Sequence, residues 1–137
     1  HYNSEIGFTN CLIANKFITI NEVQLIPPLP LIRGTNVNLK GIVHIHKKID
    51  WMMAKFLITY NFRHELNITF VDENLNGCDL IADILKQNCP LLPGRYNLSA
   101  TQEVLKLYWP GFYEGKFTIY NENGDQLFCE EMSLLMK

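Results

Sequence analysis

The four cysteines, at positions 11, 78, 89 and 129, carry the most reactive side chains of the sequence. No two form a C-x-x-C pair, the spacing a zinc ribbon or a thioredoxin-like redox site needs. An even set of four leaves disulfide formation, with three possible pairings, or buried free thiols. His44 and His46 alternate along an extended segment and so share a face. Two imidazoles can begin a metal site, but three or four ligands must converge, and no suitable third lies nearby. Hydrolysis would need a nucleophile with a base and an orienter, or paired carboxylates across a cleft. Neither G-x-S-x-G nor H-E-x-x-H occurs. Asp79 and Asp83 fit a solvated helix face, Asp79 alternatively a cap. No catalytic residue, metal or cofactor is expected, so function must rest on binding.

The remaining counts narrow what is bound. The chain has 137 residues, 47% hydrophobic, 19% charged and 12% aromatic, enough for one domain, 1–137, with its own core. Twelve Lys and Arg against fourteen Asp and Glu leave a net charge of -2, without the basic excess of a nucleic-acid binder. The most apolar run, VQLIPPLPLI, is too short for a membrane span and is interrupted by prolines. His1-Tyr2-Asn3-Ser4 lacks the basic start and apolar stretch of a signal peptide, which fits a cleaved mature chain as well as a cytosolic one. Two sequons, Asn67-Ile68-Thr69 and Asn97-Leu98-Ser99, together with the even cysteine count favour a secreted or lumenal protein.

The elements that must position any site follow a period of two. Val37 to Lys47 alternates apolar and polar residues, as a strand with one wet face does. Lys55 to Phe62 repeats the pattern, with Phe56, Ile58, Tyr60 and Phe62 on one side. Leu66 to Phe70 does so again and places Asn67 on the polar side. Lys116–Tyr120 and Gln126–Cys129 flank Asn123-Gly124, suited to a two-residue hairpin turn that sets Ile119 opposite Phe128 and Thr118 opposite Cys129. Pro27, Pro28 and Pro30 exclude a central strand there. Only Cys78 to Lys86 is helical in pattern, through Leu80, Ile81, Ile84 and Leu85. About seven short strands and one helical turn predict an all-β, immunoglobulin-like antiparallel β-sandwich of two sheets.

The segment NGCDLIADILKQNCPLLPGRYNL resembles the lipid-recognition (ML) family: a Cys-Asp-Leu helical turn, then Cys-Pro, then Gly-x-Tyr. The likeness continues through Tyr113-Glu114-Gly115-Lys116-Phe117 and ends in Leu127-Phe128-Cys129-Glu130-Glu131, like that family's closing strand. Upstream, Pro28 through Gly34 looks like its Pro-rich entry to the second strand. The resemblance spans roughly residues 11 to 137. Phospholipid-transfer proteins, a lysosomal sterol carrier and ganglioside-activator proteins are branches of the family. The resemblance implies disulfides Cys11–Cys129 and Cys78–Cys89, which by loop closure stabilise by at most about 5 and about 3 kcal/mol. A further small disulfide found in several relatives is lacking.

The resemblance also implies sheets splayed around an apolar cavity that holds a lipid tail. The inward positions would then be cavity wall: Val37, Leu39, Val43, Ile45, Phe56, Ile58, Tyr60, Leu66, Ile68 and Phe70, and later Leu105, Phe112, Phe117, Ile119, Phe128, Met132 and Leu134. Periodicity alone fits a solid core equally well. Two loops suit the mouth or a membrane contact. Lys48, Trp51, Met52 and Met53 lie in one and Trp109 in the other, with Lys47, Lys48 and Lys55 placed to meet phosphates. The alternative is that Trp51 and Trp109 cover the sandwich ends. Strict alternation turns Glu130 inward, unless a bulge rotates it out, a wet end hydrates it or a partner neutralises it.

The expected ligand is a phospholipid, sterol or fatty acid, exchanged with a transient membrane surface in a secreted or endolysosomal setting. The alternative is a lipid-presenting module docked on a receptor or acceptor protein. An immunoglobulin-like adhesion domain with a solid core would favour an inter-sheet bridge over a packed Trp, which these cysteine positions do not suit.

Overall fold

Alternating apolar residues need a second layer to cover them, and the computed structural model supplies it as two antiparallel sheets. It describes residues 6–11, 17–63 and 66–137. The strands are β1 (Ile6–Asn10), β2 (Ile18–Ile26), β3 (Thr35–Ile45), β4 (Met53–Phe62), β5 (Leu66–Asn76), β6 (Gly94–Val104), β7 (Gly111–Tyr120) and β8 (Gln126–Met136). One helix, α1 (Gly77–Ile84), lies between β5 and β6. The larger sheet has the order β1-β8-β7-β4-β5 and the smaller β2-β3-β6. No helix among the described residues is long and apolar enough to cross a membrane.

The hairpin of β7 and β8 pairs Ile119 with Phe128 and Thr118 with Cys129, as the sequence predicts. The turn itself is longer than predicted. Tyr120 pairs with Gln126 after a register shift, so Leu127 bulges and residues 121–125 form the loop. The Asn121 side chain organises it, accepting from the backbone N–H groups of Asn123 and Asp125. Gly124, at φ 82°, takes the left-handed turn that its missing Cβ permits.

Asn76, and not Asp79, caps α1: its Oδ1 accepts from the backbone N–H groups of Cys78 and Asp79. The helix buries Ile81 against the sandwich. Gly77 starts it because a Cβ there would meet Met52, side chain and backbone both. The disulfides are Cys11–Cys129 and Cys78–Cys89, with Cα atoms 5.1 and 5.6 Å apart. The first ties the chain leaving β1 to β8, and the second closes the loop around α1.

Buried side chains fall into two clusters. One, at the end of the sandwich that carries α1, includes Ile18, Val43, Ile45, Ile49, Met52, Ile81, Leu91, Leu98, Ile119 and Phe128. The other, at the opposite end, is Val37, Tyr60, Val104, Tyr113 and Met136. At that opposite end the segment after β2 crosses to the larger sheet, where Leu31 pairs with Met136 and the Arg33 N–H donates to the Lys137 carbonyl.

Candidate functional site

Register decides which residues face the space between the sheets. In the smaller sheet Val37, Leu39, Val43 and Ile45 share the inner side of β3, with Ile18 and Ile20 of β2 opposite Ile45 and Val43. In the larger sheet Phe56, Ile58 and Tyr60 of β4 lie beside Phe117, Gly115 and Tyr113 of β7. Those in turn lie beside Glu130, Met132 and Leu134 of β8. Ile119 and Phe128 extend the rows toward α1, and Ile68 and Phe70 of β5 flank the cluster at the other end. Fourteen of the seventeen residues expected as wall therefore converge on one space.

Three do not. Phe112 lies opposite Asn61 and Leu135 on the outer face and is 39% exposed. Tyr113, 3% exposed, holds the inner position instead, in phase with the expected Phe117 and Ile119. Leu105 follows the end of β6, where Val104 faces inward instead. Leu66 opens β5 opposite Phe62 and is 59% exposed, a rim residue rather than wall. Sequence reading also passed over Ile18, Ile20, Leu25, Leu98 and Val104. In β2 a register shift between Asn21 and Gln24 breaks the alternation that would have marked them. In β6 the run Ser99 to Glu103 is almost wholly polar, so no apolar face stands out.

Between the two clusters burial is incomplete. Leu39, Phe56, Ile58, Phe117 and Met132 are only half-buried, although β3 is the middle strand of its sheet and β4, β7 and β8 are interior strands of theirs. In a filled sandwich these mid-strand positions are the deepest. The same zone carries small inner residues, Gly41 and Ala100 in one sheet and Gly115 in the other, the last with the Met132 side chain packed against it. The wall there is apolar and aromatic, with Phe117 edge-on to both Phe56 and Phe128.

Glu130 belongs to this zone. The β7–β8 ladder runs without a shift from Phe117–Glu130 to Gly111–Met136, so no bulge rotates the side chain away. Burial pushes its carboxyl above the usual range. At the end away from α1, the Tyr60 hydroxyl donates to the Pro110 carbonyl at 2.7 Å and the Tyr113 hydroxyl to the Trp109 carbonyl at 2.8 Å. Burial, reinforced by Tyr60, raises the Tyr113 phenol. These bonds pin the loop before β7.

The two expected mouth loops lie at opposite ends. Lys48, Trp51, Met52 and Met53 are beside α1, whereas Trp109 packs on Tyr60 at a ring distance of 5.1 Å beyond the other end. Met52 is fully buried, under Gly77, and so is no membrane contact. Met53 is half-buried in the first residue of β4, Lys48 pairs with Asp50 at 3.4 Å, and Trp51 is exposed. Lys47 lies over the Phe17 ring, and Lys55 is exposed on the outer face of β4. Asn67 and Asn97 are exposed. His44 and His46 stack with ring centroids 6.4 Å apart, and His46 meets Thr19. Among the described residues no three His, Cys, Asp or Glu side chains gather as metal ligands would.

A family model described as ML domain matches residues 5–135. The phosphatidylglycerol/phosphatidylinositol transfer protein of Schizosaccharomyces pombe is 26% identical over 121 residues, 85% of this chain. The chain spans 60% of that relative's length. The crystal structure of a Niemann-Pick type C2 protein from Japanese carpenter ant superposes with a TM-score of 0.69 at 15% identity, covering 96% of this chain and 99% of that one. Chicken MD-1 complexed with lipid IVa gives 0.61 at 11% identity, covering 98% and 93%.

Proposed function

Since the chain belongs to the ML-domain family, we propose that it is a secreted or lumenal lipid carrier that holds a phospholipid or sterol between its two sheets and exchanges it with membranes. The observation that carries this reading is the half-buried apolar zone between the two sealed clusters. Its wall is Leu39, Phe56, Ile58, Phe117 and Met132, on strands where a solid core would be closed. Val37, Val43, Ile45, Tyr60, Ile68, Phe70, Ile119, Phe128 and Leu134 complete it. The kinship with a phosphatidylglycerol/phosphatidylinositol transfer protein supports a glycerophospholipid as the cargo.

No covalent chemistry is needed. Each buried methylene contributes about 0.8 kcal/mol, so a 16-carbon tail offers on the order of 10 kcal/mol before the cost of association. Dispersion against an apolar wall tolerates variation in the tail, which leaves headgroup preference to polar groups at the opening. Two disulfides fit an oxidising compartment. The exposed sequon residues Asn67 and Asn97 are the proposed glycan sites.

Native mass spectrometry of protein secreted from a eukaryotic host, followed by extraction and lipid identification, tests the reading. A stoichiometric adduct of lipid mass is expected. Protein that is empty and also fails to take up fluorescent phospholipid, sterol or fatty acid would sink it. An adduct that persists against excess acceptor vesicles would point instead to a module that presents lipid to a protein partner.

A further inference from the structure

We propose that the end of the sandwich carrying Trp109, opposite α1, is the face by which this protein docks on anionic phospholipid bilayers. The proposal rests on the carrier reading and names the surface at which exchange takes place. At this end the exposed apolar side chains include Phe62, Leu66, Leu107, Trp109 and Ile32, with Leu107 at 87% exposure. They come from three separate segments brought together by the fold. Phe62 and Leu66 are paired across the β4–β5 end. Trp109 packs on Tyr60, which also meets Phe62. Arg33 donates to the Tyr108 carbonyl, joining the segment of Ile32 to the loop of Leu107.

Among the described residues of these three segments the charged side chains are all basic: Arg33, Arg63 and Lys106 border the apolar residues. Glu65 lies outside the described residues. Arg63 sits over the Phe62 ring at 5.0 Å, an amphipathic pair that can keep its ring in acyl chains and its guanidinium among phosphates. The helical end differs on both counts. It exposes Trp51 and Leu92 in separate loops, and Asp50 already pairs with Lys48. An apolar patch ringed by cations is complementary to a bilayer with negative headgroups, whereas the mixed charges at the helical end are not.

The two tryptophans mark opposite ends, which gives each its own reporter. Trp51→Phe leaves Trp109 as the fluorophore, and Trp109→Phe leaves Trp51. Vesicles of phosphatidylcholine mixed with phosphatidylglycerol should shift Trp109 emission to the blue and leave Trp51 emission unchanged. Pure phosphatidylcholine or high salt should weaken the shift. Leu107→Glu and Lys106→Glu should each reduce partitioning, the first by about tenfold, whereas Leu92→Glu at the helical end should not. A Trp51 shift without a Trp109 shift, or unimpaired binding by Leu107→Glu, overturns the assignment. So does the absence of any vesicle response, which would leave the face to a protein partner. Uptake of a short-chain fluorescent phospholipid from solution is measured in the same variants. Its loss throughout would fail the carrier reading itself, independently of which end meets vesicles.

Discussion

Glu130 is the one ionisable side chain on the apolar inner wall of β8, and burial makes its charged form costly. Because its folded-state pKa is raised, the folded protein holds the proton more tightly than the unfolded chain does. The penalty is therefore present at neutral pH and is relieved as the pH falls through the raised value toward the unfolded one. Glu130→Gln should melt higher than the wild type at pH 7, and the difference should vanish once both states are protonated. Calorimetry at a series of pH values checks this. A pH-independent gap would assign the effect to packing. At Gly77 the constraint is steric. A Cβ there would meet the Met52 side chain and its carbonyl. Gly77→Ala should cost roughly 1–3 kcal/mol by the overpacking scale, although alanine is the better helix former. Urea denaturation measures it, and a stabilised variant would show that the contact yields freely.

At the scale of elements, small residues stand in the middle of the inner rows of β3, β6 and β7, at Gly41, Ala100 and Gly115. Ala100 stands opposite Leu39 on the inner face of β6. In a solid core, Ala100→Phe would cost about 1–3 kcal/mol by forcing neighbours apart. If the zone is a lipid site, the ring should occupy it, leaving the melting temperature level or higher while lipid uptake falls. Uptake and melting measured together separate the two, since a filled core would lose stability first. How far this was legible in the sequence depended on the regularity of each strand. In β3 and β4 unbroken alternation marked the inner row correctly from Val37 to Tyr60. At Phe112 the phase was missed because an apolar pair, Phe112-Tyr113, offers both faces a candidate. In β6 the inner row includes Ala100 and Gln102, which carry no hydrophobic signal. Met52 lies in the expected loop, and what buries it is packing against Gly77 of α1, a tertiary contact its own segment does not encode. The opposite placement of the two tryptophan loops follows from strand direction, which the spacing of single residues does not encode.

Across the whole molecule, buried side chains gather toward the two ends of the sandwich, and the inner residues between them are only half-buried. The helical end is sealed by α1 with its Cys78–Cys89 closure, and the other by the Leu31–Met136 pairing and the Tyr60 and Tyr113 bonds to the loop before β7. A lipid lying between the clusters would meet inner side chains of both sheets that are otherwise only half-buried. Binding to the folded state alone adds stability as RT ln(1 + [L]/Kd), about 2.7 kcal/mol at a hundredfold excess over Kd. The gain should not be uniform. Amides in mid-strand, around Asn38 to Ile42 of β3 and Phe56 to Ile58 of β4, should exchange more slowly with lipid bound, because opening there now separates wall from ligand. Amides beside the sealed clusters already open only with the wider fold, so they should gain only what the fold as a whole gains. Hydrogen exchange of delipidated and reloaded protein distinguishes these patterns. Protection that rises in mid-strand places the ligand between the sheets. Protection confined to the loops at either end would mean that lipid adheres outside the sandwich and that the space within is not its site.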